Sequence, residues 1–235
     1  MSAQVSHAVK KARSGTYAIH LAKNKFDLKS SRIIYDTLVV SHLGYCDILL
    51  SQADVTCLNR LQVAQNKAIR AVCIAHPRAS ADQLLANTER LSLESSRIVH
   101  TACTVFQCLN DPLAPSAIRS LLVLTSDVHS FQTRSTVLKK LHPPSVRTTK
   151  AAKSFSSQAP QAWNSLPHRI TSSTSLPCFK KLIKHHFLEI ERKLAEERRD
   201  LKEKGKDLLR LRNCKVLPNC DFVYFYQNSN FSIDV

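Results

Sequence analysis

Apolar residues return every three to four positions over most of the chain, the spacing of helices that bury one face. The clearest case runs from Asp54 to Ala75 (DVTCLNRLQVAQNKAIRAVCIA), where Leu58, Leu61, Gln65, Ala68, Ile69 and Val72 fall on one stripe. Arg60, Lys67 and Arg70 fall on the other side as a basic stripe. Asp54 or Thr56 can cap the start, and Pro77 stops continuation past His76. Taken alone, this is a core helix with solvated charges. What flanks it changes the picture.

The same spacing predicts a helix from about Val5 to Lys23 and a second over Ser30–Leu50, with Ile33, Ile34, Leu38 and the Leu43–Cys46 region as a broad apolar face. Ser80–Ala86 reads as a short helix, and Leu93–Asn110 as a longer one with Ile98, Cys103, Phe106 and Leu109 facing inward. Pro112 and Pro115 break it, and Pro115 can begin a short helix through Leu124. Thr125–Ser154 has no helical period and reads as extended or irregular chain around Pro143 and Pro144. Helix resumes over Ser154–Asn164, stops at Pro167, restarts at Leu176–Pro177 and runs into Glu189–Arg212, dense in Glu–Lys/Arg pairs four apart. There Leu194, Leu201 and Leu208 recur every seven residues, but Glu197/Arg198 and Lys204/Gly205 occupy the partner seam. A solvated single helix is therefore predicted over a dimerising one. Val223–Tyr226 has strand character with no visible neighbour.

The fold class that follows is mainly α. Its expected organisation is a helical bundle over 1–125, a basic Ser/Thr/Pro-containing segment over 126–187 that includes the Trp-Asn-Ser-Leu-Pro helix, and a charged single helix with an unassigned tail over 188–235. Only three glycines occur, too few for the tight turns of a β-sandwich or barrel.

Charge narrows the partner. Lys and Arg number 34 against 18 acids, a formal net charge of +16 with a pI near 9.7. That imbalance points to a polyanionic partner, either nucleic acid or an anionic membrane surface. The most apolar run, Ile33–Leu50, carries Asp36, His42 and Asp47, so no membrane insertion is expected. Lys10, Lys11 and Arg13 are followed only by the short apolar Tyr17–Ala22, too short for a signal core. The chain therefore reads as intracellular, nuclear or cytoplasmic, rather than secreted. Its eight cysteines then read as reduced thiols, Cys73 and Cys103 lying inside apolar helical patterns.

Catalytic signatures are lacking. The glycines are too far apart for a phosphate loop, and no G-x-S-x-G, H-E-x-x-H or C-x-x-C occurs. Cys178 with His185 and His186, or Cys214 with Cys220, lacks the paired close spacing of a zinc site, so no metal is expected. Polymerase chemistry needs clustered carboxylates for two magnesium ions, and the chain has no Asp-Asp pair. Tyr45-Cys46-Asp47 only faintly matches a Y-x-D-D turn, because Ile48 replaces the second Asp. The reading is of a protein that is not an enzyme and takes no cofactor.

One stretch stands above background. Between Val128 and Leu188 there is no Asp or Glu, against ten Lys or Arg and five His. Soluble surfaces mix signs, so such a run points to phosphate contacts with counterion release. Phe131, Phe155, Trp163 and Phe179 punctuate it. Exposed aromatics can stack on bases, but Trp163, Phe155 and Phe179 sit beside apolar positions and read as core in preference to stacking.

The segments Tyr35–Cys46 (YDTLVVSHLGYC) and Leu58–Val72 (LNRLQVAQNKAIRAV) resemble the region after the palm in LINE-type (non-long-terminal-repeat) retrotransposon reverse transcriptases. Further pieces follow in that family's order: Val105–Pro115, Thr133-Arg-Ser135, Ser154-Phe155, Ala162–Pro167 and Phe179–Leu182. Together they span roughly 5–187. The resemblance implies a helical thumb and its C-terminal extension, which grip template and nascent strand. It also implies that the family's fingers, catalytic palm and endonuclease would lie before Met1, so no polymerase or nuclease site carries over. The sequence after Leu188 matches nothing in the family.

The leading expectation is a non-catalytic fragment related to such a polymerase, with residual, weakly sequence-selective electrostatic binding of RNA or DNA. The expected nucleic-acid contacts are Arg60, Lys67, Arg70, Arg134, Lys139, Lys140, Arg147, Lys150, Lys153, Lys180, Lys181 and Lys184. A helical interaction or scaffold protein acting through Glu189–Arg212, or a relic without selected function, are the alternatives. Self-association is not favoured.

Overall fold

The structure, a computed structural model, describes residues 2–23, 25–128, 131 and 138–203. Arg134, the Thr133-Arg-Ser135 piece, Gly205, Leu208, Cys214, Cys220, the helix past Glu203 and the expected strand at Val223–Tyr226 lie outside the described residues. Among the described residues the chain is helical, and the one β feature is an isolated antiparallel bridge between Leu124 and Leu141. None of the described helices is long and apolar enough to cross a membrane.

The chain divides into two compact units. Unit 1 takes in the residues up to Arg97 and those from His186 to the end of the described chain; unit 2 is Ile98–His185.

Unit 1 opens with α1 (Ser2–Ala22), whose buried side is Val5, Ala8, Val9, Ala12, Gly15 and Ile19. Small residues on that side allow a close approach to the next elements. These are α2 (Leu28–Tyr35), a π-helical turn (Asp36–Val40) and α3 (Ser41–Leu43). Spacing alone did not predict the π turn. Thr37 Oγ1 donates to the Ile33 and Ile34 carbonyls at 2.9 and 3.2 Å, and Ser41 Oγ donates to the Thr37 carbonyl. The expected single helix over Ser30–Leu50 is also interrupted. Cys46 adopts a left-handed φ of 56° and starts α4 (Asp47–Leu50) in a new direction.

The central helix, α5 (Val55–Val72), buries Leu61, Gln65, Ala68, Ile69 and Val72, with Leu58 packed at the edge of the same core. Its end differs from expectation. Ile74 takes a left-handed φ of 50°, and the Ala75 amide donates back to the Arg70 carbonyl at 2.9 Å, a Schellman closure three residues before Pro77. The next helix, α6 (Ala81–Asn87), closes in the same way on Glu89, with Arg90 N–H reaching the Leu85 carbonyl at 2.9 Å.

Buried polar groups on α5 hold the start of α7 (Leu93–Asn110). Gln65 Nε2 donates to the Leu91 carbonyl at 2.9 Å, and Gln62 Oε1 accepts from the Leu93 amide at 3.2 Å. Glu191 adds a carboxylate on the Ser92 amide at 2.9 Å. An anion at a helix N-terminus satisfies amides with no intrahelical partner.

Unit 2 contains the rest of α7, then α8 (Ser116–Arg119), α9 (Thr125–Val128), α10 (Thr149–Ala152), α11 (Phe155–Asn164) and α12 (His168–Thr171). Helix α13 (Leu176–Glu203) begins here, with Pro177 tolerated in its first turn. The core of this unit is an aromatic stack. Phe179, fully buried, lies 4.5 Å from Phe106 and 5.9 Å from Trp163 between ring centroids. Trp163 Nε1 donates to the Lys139 carbonyl at 3.2 Å, so its one polar group is satisfied. The expected core reading therefore holds for Trp163 and Phe179, both of which are buried.

The part of α13 within unit 1 was expected to stand in solvent; it does not. Phe187, Leu188, Ile190 and Ala195 are buried. Its charges reach to other elements: Arg192 to Glu89 at 3.6 Å and Arg198 to Asp82 at 2.5 Å. Arg199 and Asp200 also approach within 3.8 Å along the helix itself.

Candidate nucleic-acid interface

The residues of α1 that face away from the core form a second stripe: Ser6, Lys10, Arg13, Ser14 and Tyr17. Because Ala8, Ala12 and Gly15 bring α1 close to its neighbours, this stripe meets Arg60 of α5. The Arg60 guanidinium donates to Ser6 Oγ at 3.2 Å. Together these residues and Val9 line an open groove of about 410 Å³. Three cations line it and no carboxylate does. Neither α1 nor α5 carries an Asp or Glu, so the local field is positive along both helices. Among the described residues, Lys10 and Arg13 make no ion pair.

The other expected contacts fall into groups. Lys67 is exposed on α5, seven residues and about 10 Å further along the axis from Arg60. Arg70 belongs to the fold instead. It is half-buried, with Nε donating to the Ala79 carbonyl at 2.9 Å and Nη1 to the Asn66 carbonyl at 3.2 Å. It ties the loop after α5 to the helix.

In unit 2, Lys180, Lys181 and Lys184 are exposed on α13, with 180 and 184 one turn apart on one face. Arg147 and Lys150 are exposed near α10, and Lys153 is half-buried at its end. Lys139 and Lys140 lie beside the bridge. Lys139 is exposed with a left-handed φ of 49°, and the Lys140 carbonyl accepts from Thr125 N–H and Oγ1 at 2.9 and 2.7 Å. The structure thus brings Arg60 together with residues outside the expected set. Arg134 lies outside the described residues.

Lys10, Arg13 and Tyr17 are the site residues that spacing missed. Two signals in the sequence mark them: the acid-free stretch before Asp27, and the Ala8/Ala12/Gly15 stripe that predicts close helix packing. The thiols are unremarkable. Burial pushes Cys73, Cys103 and Cys108 up, although Arg32, Lys180 and Arg119 respectively oppose this. Raised thiols are poor nucleophiles. Among the described residues, no three His, Cys, Asp or Glu side chains gather in a metal-holding group. No protein-family model, curated protein or solved structure matches this chain.

Proposed function

We propose that the protein is a non-catalytic, helical nucleic-acid-binding chain, related to the thumb and post-thumb region of LINE-type reverse transcriptases, that holds RNA or DNA chiefly through phosphates inside the cell. The observation that carries this reading is the convergence of Lys10, Arg13 and Arg60 on one carboxylate-free groove. Lys67 extends the positive field along α5, and Lys180, Lys181 and Lys184 supply a second exposed set in unit 2. Groups of this kind release counterions on binding, which yields affinity with little sequence preference and a steep salt dependence. The relation to the retroelement family rests on the ordered segments from Tyr35 to Leu182 and implies no catalytic residue in this chain.

Fluorescence anisotropy of a labelled mixed-sequence oligonucleotide at 50 and 200 mM salt tests the reading. The expected result is micromolar or tighter binding at the lower salt, falling at least tenfold at the higher. No binding at 50 mM salt would end it.

A further inference from the structure

The groove between α1 and α5 has a chemistry more selective than a general positive surface. Its cations stand on two helices, and Arg60 is oriented by its hydrogen bond to Ser6. A guanidinium so anchored still has donors left to form a fork on a phosphate. Lys10 and Arg13 are three residues apart on α1, near enough to share adjacent phosphates. Ser14 Oγ donates to the Lys10 carbonyl at 3.3 Å and can still accept.

Tyr17 changes what such a groove can bind. It lies one turn beyond Arg13, and its side chain is 65% exposed, so its ring is available to the groove. A large aromatic left this exposed beside three cations is unusual for a surface that only solvates charge. Rings in that setting stack on bases, and a base is free to stack only where it is unpaired. The volume is in the range of small-molecule ligand sites. The stripe from Ser6 to Tyr17 runs about 16 Å along α1, room for a few nucleotides of a single strand.

We infer that this groove is a single-strand-selective nucleic-acid site, in which Lys10, Arg13 and Arg60 hold consecutive phosphates and Tyr17 stacks on one unpaired base. The inference rests on the nucleic-acid reading above and adds a place and a strand preference to it. A flat anionic membrane cannot enter a concave groove, and inorganic polyphosphate offers the charges without the base.

The test uses the full chain with a labelled 12-mer single strand, its blunt duplex, and inorganic polyphosphate as competitor. The wild-type chain is expected to prefer the single strand over the duplex by about tenfold. Tyr17→Ala is expected to weaken single-strand binding about tenfold with little change on duplex, and Tyr17→Phe to restore it. Arg13→Gln and Arg60→Gln are expected to flatten the salt dependence on the single strand by about 0.7 each. Thermal melts of each variant separate lost binding from lost folding; Tyr17→Phe, which keeps the ring, provides a second check.

Equal affinity for strand and duplex, with Tyr17→Ala unchanged, would overturn the inference while leaving general binding intact. So would displacement by polyphosphate that is indifferent to Tyr17. If the wild-type chain binds no oligonucleotide at low salt, the inference and the reading beneath it fail together.

Discussion

Gly15 of α1 lies against the main chain of Leu38 in the π turn, so closely that a Cβ on residue 15 would stand 2.7 Å from the Leu38 carbonyl oxygen and 2.9 Å from its Cβ. The contacted oxygen is backbone, which a rotamer change cannot move aside. Gly15→Ala would gain helix propensity of about 1 kcal/mol. Overpacking against fixed backbone costs about 1–3 kcal/mol, so the net expectation is destabilisation by up to about 2 kcal/mol. A lower urea midpoint with an unchanged m-value would report it. An unchanged or raised midpoint would mean that α1 and the π turn do not pack this closely.

Tyr35 is fully buried in unit 1, and among the described residues its hydroxyl has no hydrogen-bond partner. Gln65 is the polar group facing it, but the geometry stops short of a bond, and the Gln65 amide is engaged with Leu91. Burial pushes the phenol up to about 12. A group whose folded value lies above its unfolded one stabilises fully below the unfolded value and loses that contribution as pH rises through the folded one. Wild-type stability should therefore fall between about pH 10 and 12, by an amount on the order of 2 kcal/mol. Tyr35→Phe should remove this part of the alkaline loss. At pH 7 it should leave stability equal or higher by up to about 1 kcal/mol, because an unsatisfied hydroxyl is gone. Denaturant titrations of both proteins at pH 7 and pH 11 are the check. Parallel losses in the two would show that Tyr35 is not the titrating group.

Hydrophobic spacing located α1, α5, α6 and α7 to within a few residues, because each buries one face against a core and its apolar positions must recur with the helical turn. It did not locate the left-handed closures of α5 and α6 or the break at Cys46. With three glycines in the chain, left-handed positions fall on Cys46, Ile74, Glu89 and Lys139, residue types that give no sequence signal for that conformation. The π turn was equally hidden, since Thr37 and Ser41, whose hydroxyls bond back to carbonyls one turn earlier, read as ordinary surface residues. Tertiary facts were the hardest to read. The charges of α13 promised intrahelical pairs and also dock on Ser92, Glu89 and Asp82. In the candidate site, Arg60 was legible from its stripe. Its meeting with Lys10, Arg13 and Tyr17 depends on how closely two helices approach, which no single-helix pattern contains.

Ile74 occupies the left-handed closing position of α5 although it is β-branched, and its side chain is 53% exposed. A non-glycine residue there costs roughly 1–2 kcal/mol, while glycine loses some of that gain through the greater freedom of the unfolded chain. Ile74→Gly should therefore raise stability by about 0.5–1 kcal/mol, read as a higher thermal midpoint. Ile74→Val, which keeps the branch, should give no such gain. A drop with glycine would mean that the exposed isoleucine packs more than its accessibility implies.

Lys67 and Arg70 stand three residues apart on the basic side of α5 but have different work. Arg70 donates to the Ala79 and Asn66 carbonyls and fastens the loop after the helix, whereas Lys67 is exposed. Arg70→Gln leaves those carbonyls with poorer partners and should cost about 1–2 kcal/mol of stability. Its effect on oligonucleotide affinity, measured well below the melting temperature, should be small. Lys67→Gln should leave the melt unchanged and flatten the salt dependence of binding by about 0.7–0.9, the share of one phosphate contact. Parallel melts and salt titrations of the two variants distinguish the roles. If Arg70→Gln weakens binding as much as Lys67→Gln while melting like the wild type, the guanidinium faces the ligand and not the loop.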